Sequence, residues 1–223
     1  MPHAIIALPL PFGLGSVNCY LLRAAQGFVL IDSGPPATRR MLLGELDRLG
    51  CQPGSLSLVV LTHGDFDHTG NAAHLRAAFA SRIAMHPDDA RMAQAGDMFA
   101  NRKKSNPVLR LLVPLLIGFG QAERFAPDVL LEDGSELTEF GLEARVVCIP
   151  GHSAGSIGVL AADGPFFCGD LFDNTRTPAL NSIIDDREAA LRSAARLRTL
   201  PIGTIYPGHG RPFSPDELPE AIL

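Results

Sequence analysis

Thr62 to Asn71 reads THGDFDHTGN, and the six residues from His63 to His68 hold two histidines and two aspartates. Imidazole and carboxylate are common ligands of divalent cations, and four of them in six residues is a density that a solvated loop does not need. SLVVLTH, from Ser57 to His63, is a buried-strand run that stops at this cluster, so the candidates stand where a strand leaves the core.

Three more candidates occupy similar places in the second half. His152 follows VVCIPG, Asp170 follows FFCG and His209 follows TIYPG, each behind a glycine at the end of an apolar run. Strand ends placed this way can converge on one edge of a rigid scaffold, as site residues commonly do.

In this order and spacing the residues resemble the metallo-β-lactamase superfamily. The HxHxDH pattern of that family stands here as His63, Asp65, Asp67 and His68. A distant histidine follows as His152 in PGHSAGS, then Asp170 in GDLF and His209 in YPGHG, while FVLIDSG with Asp32 resembles the early strand-and-loop motif. The match runs through nearly the whole chain. It implies an α+β fold, a four-layer αββα sandwich, around two divalent metal ions. One would be held by His63, Asp65 and His152, the other by Asp67, His68 and His209, with Asp170 bridging and with Asp67 and Asp170 as catalytic carboxylates. The implied activity is hydrolysis of an ester-like bond, a thioester or lactone first, by a metal-bound hydroxide.

Asp65 departs from the pattern, because the family has a second histidine there. With Asp65, Asp67 and Asp170 ionised, two divalent ions keep a formal surplus of about one positive charge, against about two with a histidine at 65. Zinc is the expected metal, since imidazole and carboxylate suit it; the extra carboxylate moves the preference toward iron or manganese. Flavodiiron proteins carry a carboxylate at the equivalent place, so a diiron redox or oxygen-handling protein is the rival reading, although this chain has no room for their flavodoxin part. A non-catalytic binding domain is the third. The bland alternative for Asp65 is a loop cap turned to solvent.

GHSAG, from Gly151 to Gly155, satisfies the G-x-S-x-G nucleophile elbow, and Ser153, Asp170 or Asp173, then His209 follow in the order of an α/β-hydrolase triad. An elbow needs a helix directly after its serine, whereas SIGVLAADGPFFCGD reads as strand, turn and strand. Ser153 is expected instead to brace the loop presenting His152, and Asp32 to orient a ligand or to cap its own turn. His3, His74 and His86 are expected to have no site role.

The remaining sequence sets bounds. At 223 residues the chain suits one domain, and 46% hydrophobic against 19% charged residues make it globular rather than disordered. A net charge of −5 without a basic run gives nucleic-acid binding no support. MPHAIIALPLPFGLGS lacks the basic start of a signal peptide, no run is long enough to span a membrane, and a cytoplasmic location is expected. Cys19, Cys51, Cys148 and Cys168 show no CxxC spacing and are expected as reduced thiols.

Strands are expected at HAIIALP, VNCYLL, GFVLID, SLVVLTH, SRIAMH, VLLE, SELTEF, LEARVVCIP, SIGVLAAD, PFFCGD and GTIYPGHG. Helices are expected at Ala37–Gly50, Gly70–Ala80, DDARMAQA, Arg187–Leu200 and SPDELPEAIL. Each half holds a strand set with helices, which suggests two packed sheets. Residues 96–127 break this rhythm as an apolar helical insertion. Phe99, Val108, Leu112, Leu116 and Phe119 would cover an acyl-bearing small-molecule substrate or face a second subunit in a homodimer, and Lys103 and Lys104 read as a solvated pair.

Overall fold

The computed structural model describes residues 4–100, 102, 123–220 and 222. Its first sheet runs in chain order: β1 (Ile5–Phe12), β2 (Gly15–Ala24), β3 (Gly27–Ile31), β4 (Leu56–Val60), β5 (Arg82–Met85) and β6 (Val129–Leu130). The first three strands are antiparallel, joined by tight turns; β3 to β6 are parallel and need the helical crossovers between them. The second sheet is ordered β10 (Ala179–Leu180), β9 (Pro165–Asn174), β8 (Ile157–Ala161) and β7 (Ala144–Cys148), with β11 (Thr204–Gly210) parallel to β9.

Period-two alternation places these sheets. Leu21, Leu30, Val59 and Ile83 point one way, against Leu42 and Leu46 of α1 (Arg39–Arg48) and Leu75 and Phe79 of the Ala72–Phe79 helix. Their neighbours Tyr20, Leu22, Val29, Ile31, Leu58 and Val60 point the other way, onto Val146, Val159 and Phe167 of the second sheet. That sheet turns Val147, Leu160 and Phe166 to Ala190, Ala194 and Leu197 of the Arg187–Leu197 helix. Three apolar layers between four structural layers give the expected αββα sandwich.

Most elements fall where the pattern puts them, with three differences. SELTEF is not a strand: Leu137 and Phe140 are both buried, and their spacing of three closes a 3-10 turn at Thr138–Phe140, which Gly141 ends at φ 73°. The described residues of SPDELPEAIL form the 3-10 turn Pro215–Glu217, started by a capping box at Ser214, rather than a terminal helix. The two-residue strand β10 carried no recognisable pattern. Residues 103–122, the body of the expected insertion, lie outside the described residues, as do His3, Lys103 and Lys104. All four cysteines are free thiols. Among the described residues no helix is long and apolar enough to cross a membrane.

Candidate metal centre

β4 ends at Val60, the chain passes through Thr62 and His63, and one helical turn, α2 (Phe66–Thr69), swings Asp67 and His68 back beneath it. Asn71 locks this turn from its far end, its side-chain amide donating to the carbonyls of Ser33, at 2.8 Å, and Pro35, at 2.9 Å. His152 enters on the loop after β7, Asp170 on β9 and His209 on β11. All seven ligand candidates read from the sequence meet at this one edge. Six of them form two groups, His63 with His152 and Asp170, and Asp67 with His68 and His209, the ligand atoms of each within 4.8 Å of one another; Asp65 falls in neither group and stands beside the first.

Asp170 lies between the groups: Oδ1 is 3.4 Å from His68 Nε2, and Oδ2 is 3.4 Å from His209 Nε2. Asp67 Oδ2 is also 3.4 Å from His209 Nε2. Gly208 makes this closeness sterically available, because a Cβ there would sit 2.2 Å from Asp170 Oδ1.

Each of the four candidate ligand histidines is tied through Nδ1. His209 donates to the Ser16 carbonyl at 2.9 Å, His152 to the Ile183 carbonyl, and His68 to Asp32 Oδ2 at 2.8 Å. His63 Nδ1 lies 3.0 Å from Thr62 Oγ1, whose own proton goes to Asp32 Oδ2 at 2.8 Å. Each ring therefore turns Nε2 toward the carboxylates, the outer-shell arrangement that fixes a metal-binding imidazole. His63 Nε2, His68 Nε2 and Asp170 Oδ1 are buried with no hydrogen-bond partner. Three orphaned ligand atoms facing one another fit a divalent cation and little else. Asp32 is thus the orienting residue, held at φ 59° by Thr62 N–H at 2.8 Å as well.

Asp65 does not turn to solvent. It is buried, makes no side-chain cap on α2, and points Oδ2 at His152 Nε2, 3.1 Å away, and at His63 Nε2, 3.8 Å away. The serine alternative fails as well. Ser153 Oγ donates to Asp89 Oδ2 at 2.6 Å and lies 2.7 Å from Ser156 Oγ, and the chain runs on into β8 rather than a helix. His86 caps the helix α4 (Pro87–Ala95) by accepting from Asp88 N–H, and His74 sits on the Ala72–Phe79 helix, outside both ligand groups.

Sequence reasoning passed over four contributors. Asp89 accepts from Gly64 N–H at 2.9 Å, Gly155 N–H at 2.9 Å and Ser153, tying the His63 loop to the His152 loop. Asn181 donates to Asp170 Oδ2 at 3.1 Å, Thr62 relays His63 to Asp32, and Arg102 bonds Asp65.

The electrostatics follow from these distances. Burial opposes charge on His68, but Asp170, Asp32 and Asp67 outweigh it and raise its pKa to about 9. Burial likewise opposes charge on His209, yet Asp170 and Asp67 raise it to about 11. His63 moves the other way, well below its ordinary value, through burial and the neighbouring His68 and His152. Burial works against an ionised Asp170, but His68 and His209 hold its carboxyl far below the usual range.

Metal-stripped protein should therefore carry His68 and His209 as imidazolium at pH 8, and loading must expel about two protons. Calorimetric titration with Zn²⁺ in buffers of different ionisation enthalpy measures this; a heat independent of buffer would refute it. Both folded pKa values exceed the unfolded one, so their stabilisation is full below about pH 6.5 and fades as the pH rises through about 9 and then 11.

A family model described as the metallo-beta-lactamase superfamily matches residues 12–209. Metallo-beta-lactamase domain-containing protein 1 of Homo sapiens is 30% identical over 204 residues, which cover 91% of this chain and 65% of that protein. An atrochrysone carboxyl ACP thioesterase of Aspergillus fumigatus is 26% identical over 202 residues, covering 88% of this chain and 51% of that one. This chain thus spans only part of the length of these two relatives. The crystal structure of TTHA1623 in a di-iron-bound form superposes with a TM-score of 0.72 at 27% identity, covering 94% of this chain and 95% of that one.

Proposed function

The chain belongs to the metallo-beta-lactamase superfamily, and we propose that it is a dinuclear metal-dependent hydrolase acting on thioesters or lactones. The observation that carries this reading is the set of four imidazoles, each anchored through Nδ1 and each turning Nε2 toward Asp65, Asp67 or Asp170. His63, Asp65, His152 and Asp170 would hold one cation, and Asp67, His68, His209 and Asp170 the other. Two divalent ions there would supply Lewis acidity and an activated water.

The chain's own contribution is to keep seven ligands in register and to shape the cleft above them. That cleft, roughly 360 Å³, is lined beside the candidate ligands by the apolar Phe12, Phe66, Met98 and Ile183 and the polar Ser16, Asn181 and Ser182. Among the described lining residues there is no lysine or arginine to meet a phosphodiester, whereas an acyl chain would meet Phe12, Phe66, Met98 and Ile183. The thioesterase among the relatives supports the same direction.

Metal identity is a separate matter. Zinc suits the ligand set, and the di-iron-bound neighbour makes iron the competing occupant. Elemental analysis of protein purified without added metal decides between them. The activity test is a hydrolysis screen over acyl thioesters, lactones, β-lactams and phosphodiesters, and a clear preference for phosphodiesters would overturn the substrate assignment. Ile183 is 67% exposed at the cleft rim, so Ile183→Asp should fold normally. It should raise KM for long acyl substrates about tenfold, the worth of one or two lost methylene contacts, and leave short ones unchanged; equal effects on both would remove Ile183 from the acyl wall.

A further inference from the structure

We infer that Arg102 is a positioning residue for the first cation and makes Asp65 the electrical equivalent of a neutral histidine. The inference rests on the reading above, in which Asp65 is a ligand. Arg102 Nη2 donates to Asp65 Oδ1 at 2.5 Å, while Nη1 donates to the His152 carbonyl. Both partners are first-cation ligands from different loops, and the guanidinium side chain that joins them is only 6% exposed.

The division of labour on the carboxylate is what matters. Arg102 occupies Oδ1, which leaves Oδ2 to face His152 Nε2 at 3.1 Å and His63 Nε2 at 3.8 Å. One oxygen is held by a permanent cation and the other is presented to the centre. Arg102 Nη2 also lies 3.2 Å from His152 Nε2; a cation taking that lone pair leaves Asp65 Oδ1 as the acceptor for Nη2.

The charge count then changes. Three ionised carboxylates leave two divalent ions a surplus of about one, but the Asp65–Arg102 pair is neutral, and with it the surplus returns to about two. The aspartate that departs from the HxHxDH pattern thereby keeps the electrostatics of the histidine it replaces. A reciprocal prediction follows: Asp65 and Arg102 must change together.

The test is a double-mutant cycle read on metal binding and melting rather than turnover. Wild type, Asp65→His, Arg102→Met and the double variant are stripped of metal, and Zn²⁺ affinity is measured by competition with a chromogenic chelator. Asp65→His alone leaves a buried guanidinium beside the cation and should weaken binding of one equivalent at least tenfold, whereas the double variant should recover to within about threefold of wild type. Arg102→Met alone leaves Asp65 Oδ1 buried without its guanidinium partner, with only Oδ2 still facing His152. Its metal-stripped melting temperature should fall by about 5 °C or more, and Zn²⁺ should raise it by more than in wild type.

Additive losses in the double variant would overturn the inference. So would an Arg102→Met protein with wild-type melting and a wild-type Zn²⁺ response, even if the Asp65→His variants fail to fold. Wild type binding no divalent ion would instead overturn the hydrolase reading on which the inference stands.

Discussion

Asp170→Ala is expected to cost both metal sites at once and to lower hydrolytic activity by at least about 10³-fold. That factor corresponds to ~4 kcal/mol of lost transition-state stabilisation, within what a metal centre contributes. The reason is position. Asp170 groups with His63 and His152, lies 3.4 Å from both His68 Nε2 and His209 Nε2, and is the one carboxylate common to the two proposed ligand sets. His209→Ala, by contrast, should remove one equivalent and leave the other, because His209 touches only Asp67 and Asp170 among the carboxylates. Elemental analysis and kinetics on the two variants check the difference. The sandwich itself should survive both changes, since its three apolar layers are built without these side chains. Two retained equivalents in Asp170→Ala would remove it from the bridging position.

Asp89→Ala should be the most destabilising single change near the centre that touches no ligand. The carboxylate is fully buried and accepts from Gly64 N–H, Gly155 N–H and the Ser153 hydroxyl. Truncation strands buried donors on two loops, each costing about 1–3 kcal/mol, so a total near 3–5 kcal/mol is expected. That is a large part of the stability of an ordinary domain. Because the two loops carry His63 and His152, the variant should also bind its first cation more weakly, and Asp89→Asn, which keeps one acceptor oxygen, should lose less on both counts. Denaturant unfolding of metal-stripped protein together with chelator competition measures the two effects. Unchanged stability and unchanged affinity would leave Asp89 no role in setting the distance between the loops.

The cluster of candidate ligands was legible because ligand chemistry is local. His63, His152, Asp170 and His209 each stand at the end of an apolar run, Asp65, Asp67 and His68 follow directly on His63, and the alternation within those runs also separates the residues of the inter-sheet core from those facing the helices. The supporting residues were not legible, for a different reason in each case. Asp88 and Asp89 both stand in the first turn of one helix, where acidic residues are common, and only the fold buries Asp89 and exposes Asp88. Arg102 lies 37 residues from Asp65, at the start of the stretch read as an apolar helical insertion, where nothing in the pattern aims it at the centre. Asn181 follows a strand of two residues, too short for any pattern. SELTEF was misread as a strand because strands flank it, although its apolar residues Leu137 and Phe140 stand three apart, the spacing of the buried 3-10 turn they form.

The last strand of the second sheet is bound to the first hairpin of the chain. Tyr20 Oη donates to the Pro207 carbonyl, Asn18 donates to the carbonyls of Pro207 and Gly210, and His209 donates to Ser16 across 193 residues. During translation, then, His63, Asp65, Asp67 and His68 leave the ribosome as an incomplete chelating set and wait for the segment that finishes it. At about 5–20 residues per second the wait is on the order of ten seconds. Through that interval the nascent chain offers adventitious cations a cluster still without His152, Asp170 and His209. Which metal the protein finally carries is therefore open to the order of events at the ribosome as well as to the affinity of the finished site.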